Sequence, residues 1–155
     1  MNHVFDASSL SQLNAYYPDI FKTFWTGFDA MAASGGVIST REVRAEVERS
    51  DKDHTKAWVK ANGGLFTTPT APEMAFVAQI FAVRHFQALI GPKALLRGTP
   101  VADPFVIACA KVKGGVVVTQ EKAKPNAARM PNVCAHFGVP CMDLEGFMRD
   151  QNWSF

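Results

Sequence analysis

The run Gly114-Gly115-Val116-Val117-Val118-Thr119 limits the possible folds more than any other stretch of this chain. Three consecutive β-branched residues behind two glycines show no alternation of apolar and polar positions. The strand they predict is therefore buried on both faces. Such a strand belongs in a parallel sheet with helices on either side. Shorter candidates join it at His3–Phe5, at 35–39 (GGVIS) and at 137–141 (FGVPC), where Pro140 favours a sheet edge.

Between these runs the apolar spacing changes to the helical period. Residues 19–34 place Ile20, Phe24, Trp25, Phe28 and Met31 along one stripe, with Gly35 as terminator. Helices are also predicted over 40–50, 51–62, 103–113 and 144–151, and a long apolar one over 72–91 should cross the core. Strands alternating with helices imply an α/β fold, a three-layer α/β/α sandwich around a central parallel sheet with right-handed crossovers. No repeat or linker divides the chain. Its 155 residues are expected to form a single domain, 1–155.

A net charge of +2 gives no bulk attraction to nucleic acid, so any such binding needs a local patch. Three cysteines, Cys109, Cys134 and Cys141, are an odd number without framework spacing, and they read as buried thiols in a reducing compartment. The opening MNHVFDASSL lacks the basic start and apolar core of a signal peptide. No apolar run approaches the ~20 residues of a membrane span. The expectation is a soluble cytoplasmic protein with no membrane partner.

Open parallel sheets bind ligands outside the carboxyl ends of their strands. Acids recur at that edge. Asp6 follows the first strand, Glu42 and Glu46 lie in the helix after the second, Asp103 opens the 103–113 helix, and Glu121 follows Thr119. Each acid also has a structural explanation. Asp103-Pro104 reads as a helix cap followed by proline at the first helical position. Ser39 with Glu42 fits a capping box, which leaves Glu46, on the stripe with Val43 and Val47, as the better ligand and Glu42 as the reserve. Ser8 or Ser9 can cap a helix over 10–17, and Ser9 with Gln12 makes a capping box, so Asp6 is left without a structural task.

Converging carboxylates repel one another unless a divalent cation joins them, and oxygen donors select Mg²⁺ or Mn²⁺ over zinc. Such ions suit phosphodiester hydrolysis. Arg41, Arg44, Lys111, Lys113, Lys122, Lys124 and Arg129 lie near these acids in sequence and can meet a nucleic-acid backbone. The four histidines are scattered, which argues against zinc, and no glycine-rich phosphate loop is present.

Taken in order, Asp6-x-Ser8, the acid of the second crossover, ADPFVIACA and VVTQE resemble the PIN domain, the nuclease fold of VapC-type toxins. More narrowly, VFDASSL, YYP, ISTREVRAEV, ADPFVIACA, VVTQEK and PNVC together resemble a PIN-like family found in bacterial toxin–antitoxin settings. The resemblance covers nearly the whole chain. It implies that Asp6, Glu46, Asp103 and Glu121 are the metal-binding catalytic acids, with Ser8 and Thr119 as polar supports. It further implies Mg²⁺- or Mn²⁺-dependent cleavage of RNA by a metal-activated water without a covalent intermediate. Arg41, Arg44, Lys122 and Lys124 are then candidates to meet the RNA, and a cognate antitoxin and a homodimer are the expected protein partners. A PIN-like scaffold that binds RNA or protein without catalysis is the alternative. Phosphatases of the haloacid-dehalogenase type fit poorly, because they need D-x-D where this chain has Asp6-Ala7-Ser8.

Overall fold

The computed structural model describes residues 1–89 and 101–155. Five strands form one sheet: β1 (His3–Phe5), β2 (Val37–Thr40), β3 (Phe66–Thr67), β4 (Val116–Val118) and β5 (Cys141–Met142). Their order is β3-β2-β1-β4-β5 and every neighbouring pair is parallel. Eight α-helices occur among the described residues. They are α1 (Ala7–Gln12), α2 (Lys22–Ser34), α3 (Arg41–Glu48), α4 (Asp53–Ala61), α5 (Ala71–Ala82), α6 (Asp103–Lys113), α7 (Met130–Phe137) and α8 (Leu144–Asp150). The expected α/β sandwich is what forms, and no helix among the described residues is long and apolar enough to cross a membrane.

β4 is fully buried, as its valines require. Its pairing with β1 starts from Gly114, whose left-handed backbone ends α6, and from Gly115. A Cβ on Gly115 would lie 2.7 Å from the Asn2 carbonyl oxygen, the same oxygen that accepts from Val116 N at 2.9 Å. A bare residue there lets the two central strands meet. On one face of β1, Phe5 packs edge-on against Phe28 of α2 and Phe147 of α8, with ring centroids 5.3 and 5.1 Å away. α6 crosses β1, β2 and β4, and α5 packs against α6. Burying the α6 residues Val106, Ile107, Ala108 and Cys109 on both sides makes that helix apolar all round.

Several elements depart from the sequence reading. β3 was not expected; two residues carry too little pattern to announce a strand. The last strand is Cys141–Met142, because Phe137 ends α7 and Gly138 turns the chain. It is an edge strand, as Pro140 suggested. α7 was not expected, although Pro131 sits in its first turn, where proline is welcome. α5 stops at Ala82 rather than running to Gly91. The chain turns through 3₁₀ geometry over Arg84–Leu89, which seats Phe86 on His136 and Phe137 of α7. The end of the expected helix, residues 90 and 91, lies outside the described residues. Cys109 and Cys134 are buried and Cys141 half-buried, all as free thiols.

Candidate metal centre

Strand register builds the site. Phe5 is paired with Val118, so the next residues, Asp6 and Thr119, emerge side by side at the carboxyl edge. Asp6 is 2% exposed. Its backbone is extended, and its Oδ1 accepts from Ser9 N at 2.8 Å, which makes it the N-cap of α1. The expected serine cap is therefore wrong. The residue that leaves the strand is the one whose side chain can reach the third helical amide, and Ser8 and Ser9 already lie inside the helix. Both serines instead donate to the aspartate. Ser8 Oγ reaches its two oxygens at 2.8 and 2.9 Å, and Ser9 Oγ lies 2.9 Å from Oδ1 and 2.8 Å from Val118 O. Thr119 Oγ1 donates to Oδ2. Gln120 N donates to Ser8 Oγ at 3.0 Å, and the Gln120 side chain accepts from Leu144 N at 2.8 Å, tying the turn to α8. Burial pushes the Asp6 carboxyl above its ordinary range, opposed by the hydrogen bonds from Thr119, Ser9 and Ser8.

Glu46 projects from the middle of α3 and is half-buried. One of its oxygens accepts from Ala102 N, at the start of α6, at 3.1 Å. Glu121 makes the matching contact with α7, accepting from Met130 N at 3.2 Å. Burial raises both carboxyls. The Ala102 amide and Arg49 oppose the rise at Glu46 while Asp6 and Glu121 add to it; at Glu121 the Met130 amide opposes it, Asp6 adds to it and Arg129 opposes it.

Asp103 is not the cap of α6. Ala102 already has helical angles and takes the cap position without a side-chain bond. Asp103 is thereby moved to the first helical residue. Burial first, and then the charges of Glu121, Asp6 and Glu46, push its carboxyl up to about 8. The four acids thus act on one another across β1, α3, α6 and the turn after β4.

Glu42 belongs elsewhere. β2 continues to Thr40 because Thr40 pairs with Thr67 of β3, so Thr40 rather than Ser39 caps α3. Ser39 Oγ donates to Phe5 O at 2.6 Å. Glu42 takes no part in a capping box; its Oε2 pairs with Arg41 at 2.8 Å, and its buried Oε1 has no partner. Arg44 is paired with Glu48 at 2.9 Å. Lys122 and Lys124 are exposed and form no ion pair among the described residues. Ser9, Gln120 and Arg49 were missed by sequence reading. Only the second serine beside Asp6 offered a signal.

Among the described residues, no three His, Cys, Asp or Glu side chains form a ready-made chelating group. Glu46 and Glu121 lean on helix amides instead. Even so, the donor chemistry fits a hard dication. The four acids and the Ser8 and Thr119 hydroxyls offer oxygen alone, the donor set of Mg²⁺ or Mn²⁺. A carboxylate repelled by three others is also the group such an ion would relieve.

The architecture is that of a parallel α/β sandwich with an acidic, hydroxyl-braced carboxyl edge. The chain belongs to the family described as Domain of unknown function (DUF4411), which matches residues 3–155. The family match is thus to DUF4411, while solved structures of low identity share the fold. PAE2754 from Pyrobaculum aerophilum is similar at a TM-score of 0.52 with 17% identity, covering 97% of this chain and 96% of that one. VapBC2 from Rickettsia felis, bound to a DNA fragment from its promoter, is similar at 0.52 with 11% identity, covering 92% and 98%. No curated protein matches.

Proposed function

We propose that this chain is a metal-dependent endoribonuclease, the toxin of a bacterial toxin–antitoxin pair that hydrolyses RNA phosphodiesters in the cytoplasm. The observation that supports it most is the gathering of Asp6, Glu46, Asp103 and Glu121 at the carboxyl edge of the sheet, where burial first and then the other three acids push the Asp103 carboxyl up to about 8. These four acids would hold Mg²⁺ or Mn²⁺, which would supply Lewis-acid chemistry there, making a water nucleophilic and offsetting the charge of the phosphate. Ser8 and Thr119 fix the Asp6 carboxylate through their hydroxyls. Asp103 must give up its proton before it can serve as a ligand, so metal affinity rises with pH through about 8. Lys122 and Lys124 face solvent beside the site and meet the RNA backbone. Arg41 and Arg44, engaged with Glu42 and Glu48, contribute less.

The test is cleavage of RNA by the purified chain. Activity is expected with Mg²⁺ or Mn²⁺, abolished by EDTA, and reduced at least ~100-fold in Asp6→Asn and Asp103→Asn, the upper reach of changes one shell farther from a metal. Cleavage that survives EDTA undiminished would rule the proposal out. One observation favours a non-catalytic RNA- or protein-binding role: both Asp6 oxygens already accept hydrogen bonds. Calorimetry separates the two, since Mn²⁺ binding that disappears in Asp103→Asn belongs to the nuclease alone.

A further inference from the structure

α7 and β5 bring two thiols together. Val139 N donates to Cys134 O at 2.9 Å, and Gly138, in the left-handed conformation, turns the chain back from the helix. The strand that follows returns along the helix it has just left, and α7 packs on β5. Cys141 opens that strand in register with Val117. Its thiol and the Cys134 thiol hydrogen-bond to one another, and neither is engaged in a disulfide. The two differ in access. Cys134 is fully buried. Cys141 is half-buried and lines a cavity of about 330 Å³ at the carboxyl ends of β4 and β5, together with Thr119, Glu121 and Asp143.

We propose that Cys141 and Cys134 form a modification site, oxidised by hydrogen peroxide to a reversible disulfide beside the acidic edge. The reading does not depend on RNA cleavage. Peroxide, little larger than water, enters the cavity and meets Cys141 first. The thiolate is the attacking form. Hydrogen bonding with Cys134 holds the Cys141 thiol below its ordinary range, against burial and the charges of Asp6, Glu121 and Asp143. The same bond, and then burial, push Cys134 up. Cys141 Sγ therefore attacks one peroxide oxygen, the O–O bond breaks, and hydroxide leaves with the thiol's proton as water. Cys134 Sγ then attacks the sulfenic sulfur. The S–O bond breaks, and the hydroxyl leaves with the second thiol's proton as another water. Two thiols lose two electrons and the peroxide gains them. Cys109 is the contrast within the chain: it is fully buried in α6, and burial pushes its thiol up to about 11. The new bond would join two elements that hold the acidic edge. Thr119 N donates to Met142 O of β5 at 2.9 Å, and Glu121 accepts from Met130 N of α7 at 3.2 Å. In a reducing compartment such a bond is transient, as suits a sensor.

The experiment uses the native full chain, reduced, freed of reductant and treated with equimolar hydrogen peroxide. The tryptic peptide 130–149 carries both cysteines, and Cys109 lies outside it. That peptide should become about 2 Da lighter, the loss of two hydrogens, and should resist alkylation until dithiothreitol is added. Thiol titration of the unfolded chain should fall from three groups to one, with Cys109 the one left. Cys134→Ser should halt at the Cys141 sulfenic acid, captured by dimedone, and Cys141→Ser should keep Cys134 alkylatable. Three results in the native chain overturn the proposal: both thiols stay alkylatable, Cys141 reaches the sulfonic acid while Cys134 stays reduced, or the disulfide joins two chains. None of these readings requires a variant to fold.

Discussion

The two ends of α6 treat a carboxylate in opposite ways. At its C-terminus Lys113 reaches Glu73, 3.0 Å away, and Glu73 also closes a capping box with Thr70 at the start of α5. Burial there pushes the carboxyl up, but hydrogen bonds from Lys113 and Thr70 and the Lys113 charge outweigh it and hold Glu73 below its ordinary range. At the N-terminus of the same helix, burial first and then the charges of three other acids drive Asp103 to about 8. A chain that neutralises one buried acid with its own lysine leaves another surrounded by like charge. The first end is neutralised within the fold; the second is the end at which a cation is proposed to bind.

Breaking the neutralised end should have the largest effect. Lys113→Met strands a buried Glu73, and urea unfolding should show a loss of about 3 kcal/mol, the low end for a buried pair because Lys113 is partly wet. Thr119→Val comes next. It removes one hydroxyl from Asp6 while Ser8 and Ser9 remain, and should lower metal affinity or RNA cleavage by about 10–100-fold, as outer contacts of metal ligands do. Asp103→Asn should act in the opposite direction to Lys113→Met. Without divalent cations it removes repulsion, and calorimetric Tm should rise by about 2–4 °C, the equivalent of about 1 kcal/mol in a domain of this size.

The comparison is sharpest against pH. The folded pKa of Asp103 is raised, so in EDTA its contribution to stability is complete below the ordinary aspartate value of about 3.9 and is lost as pH rises through about 8. Glu73 has a lowered folded pKa. Its contribution is present above about 4.3 and is lost as pH falls through its folded value, below the ordinary glutamate range. Thermal unfolding of Asp103→Asn should remove the decline between about 3.9 and about 8, and Glu73→Gln the acid one. A decline over that window unchanged in Asp103→Asn would contradict the burial of Asp103 among the other acids.

The central sheet was legible because Val116–Val118 and His3–Phe5 are unbroken apolar runs, whereas β3 has two residues and no period to read. That the four acids come near one another was legible through one topological rule, that ligands gather at carboxyl ends. Their local duties were not. Whether Asp6 or Ser9 caps α1, whether Ala102 or Asp103 caps α6, and whether Ser39 or Thr40 caps α3 each depend on where a strand or helix ends to within one to three residues. Pairing across the sheet sets that limit, and pairing is a long-range property. The Glu73–Lys113 pair was invisible for the same reason: 40 residues separate its members.

That Ser9 bonds both Asp6 and the Val118 carbonyl also determines when the site comes into being. Asp6 lies at the start of the chain, and its Thr119 partner is 113 residues further on. During synthesis the first strand must wait, unpaired on its β4 side, until Val116–Val118 have left the ribosome. Sheets closed by such distant pairings fold more slowly than bundles of local contacts. A nascent chain therefore carries no assembled acidic centre until Thr119 and Glu121 have been made, and one truncated before them never acquires it.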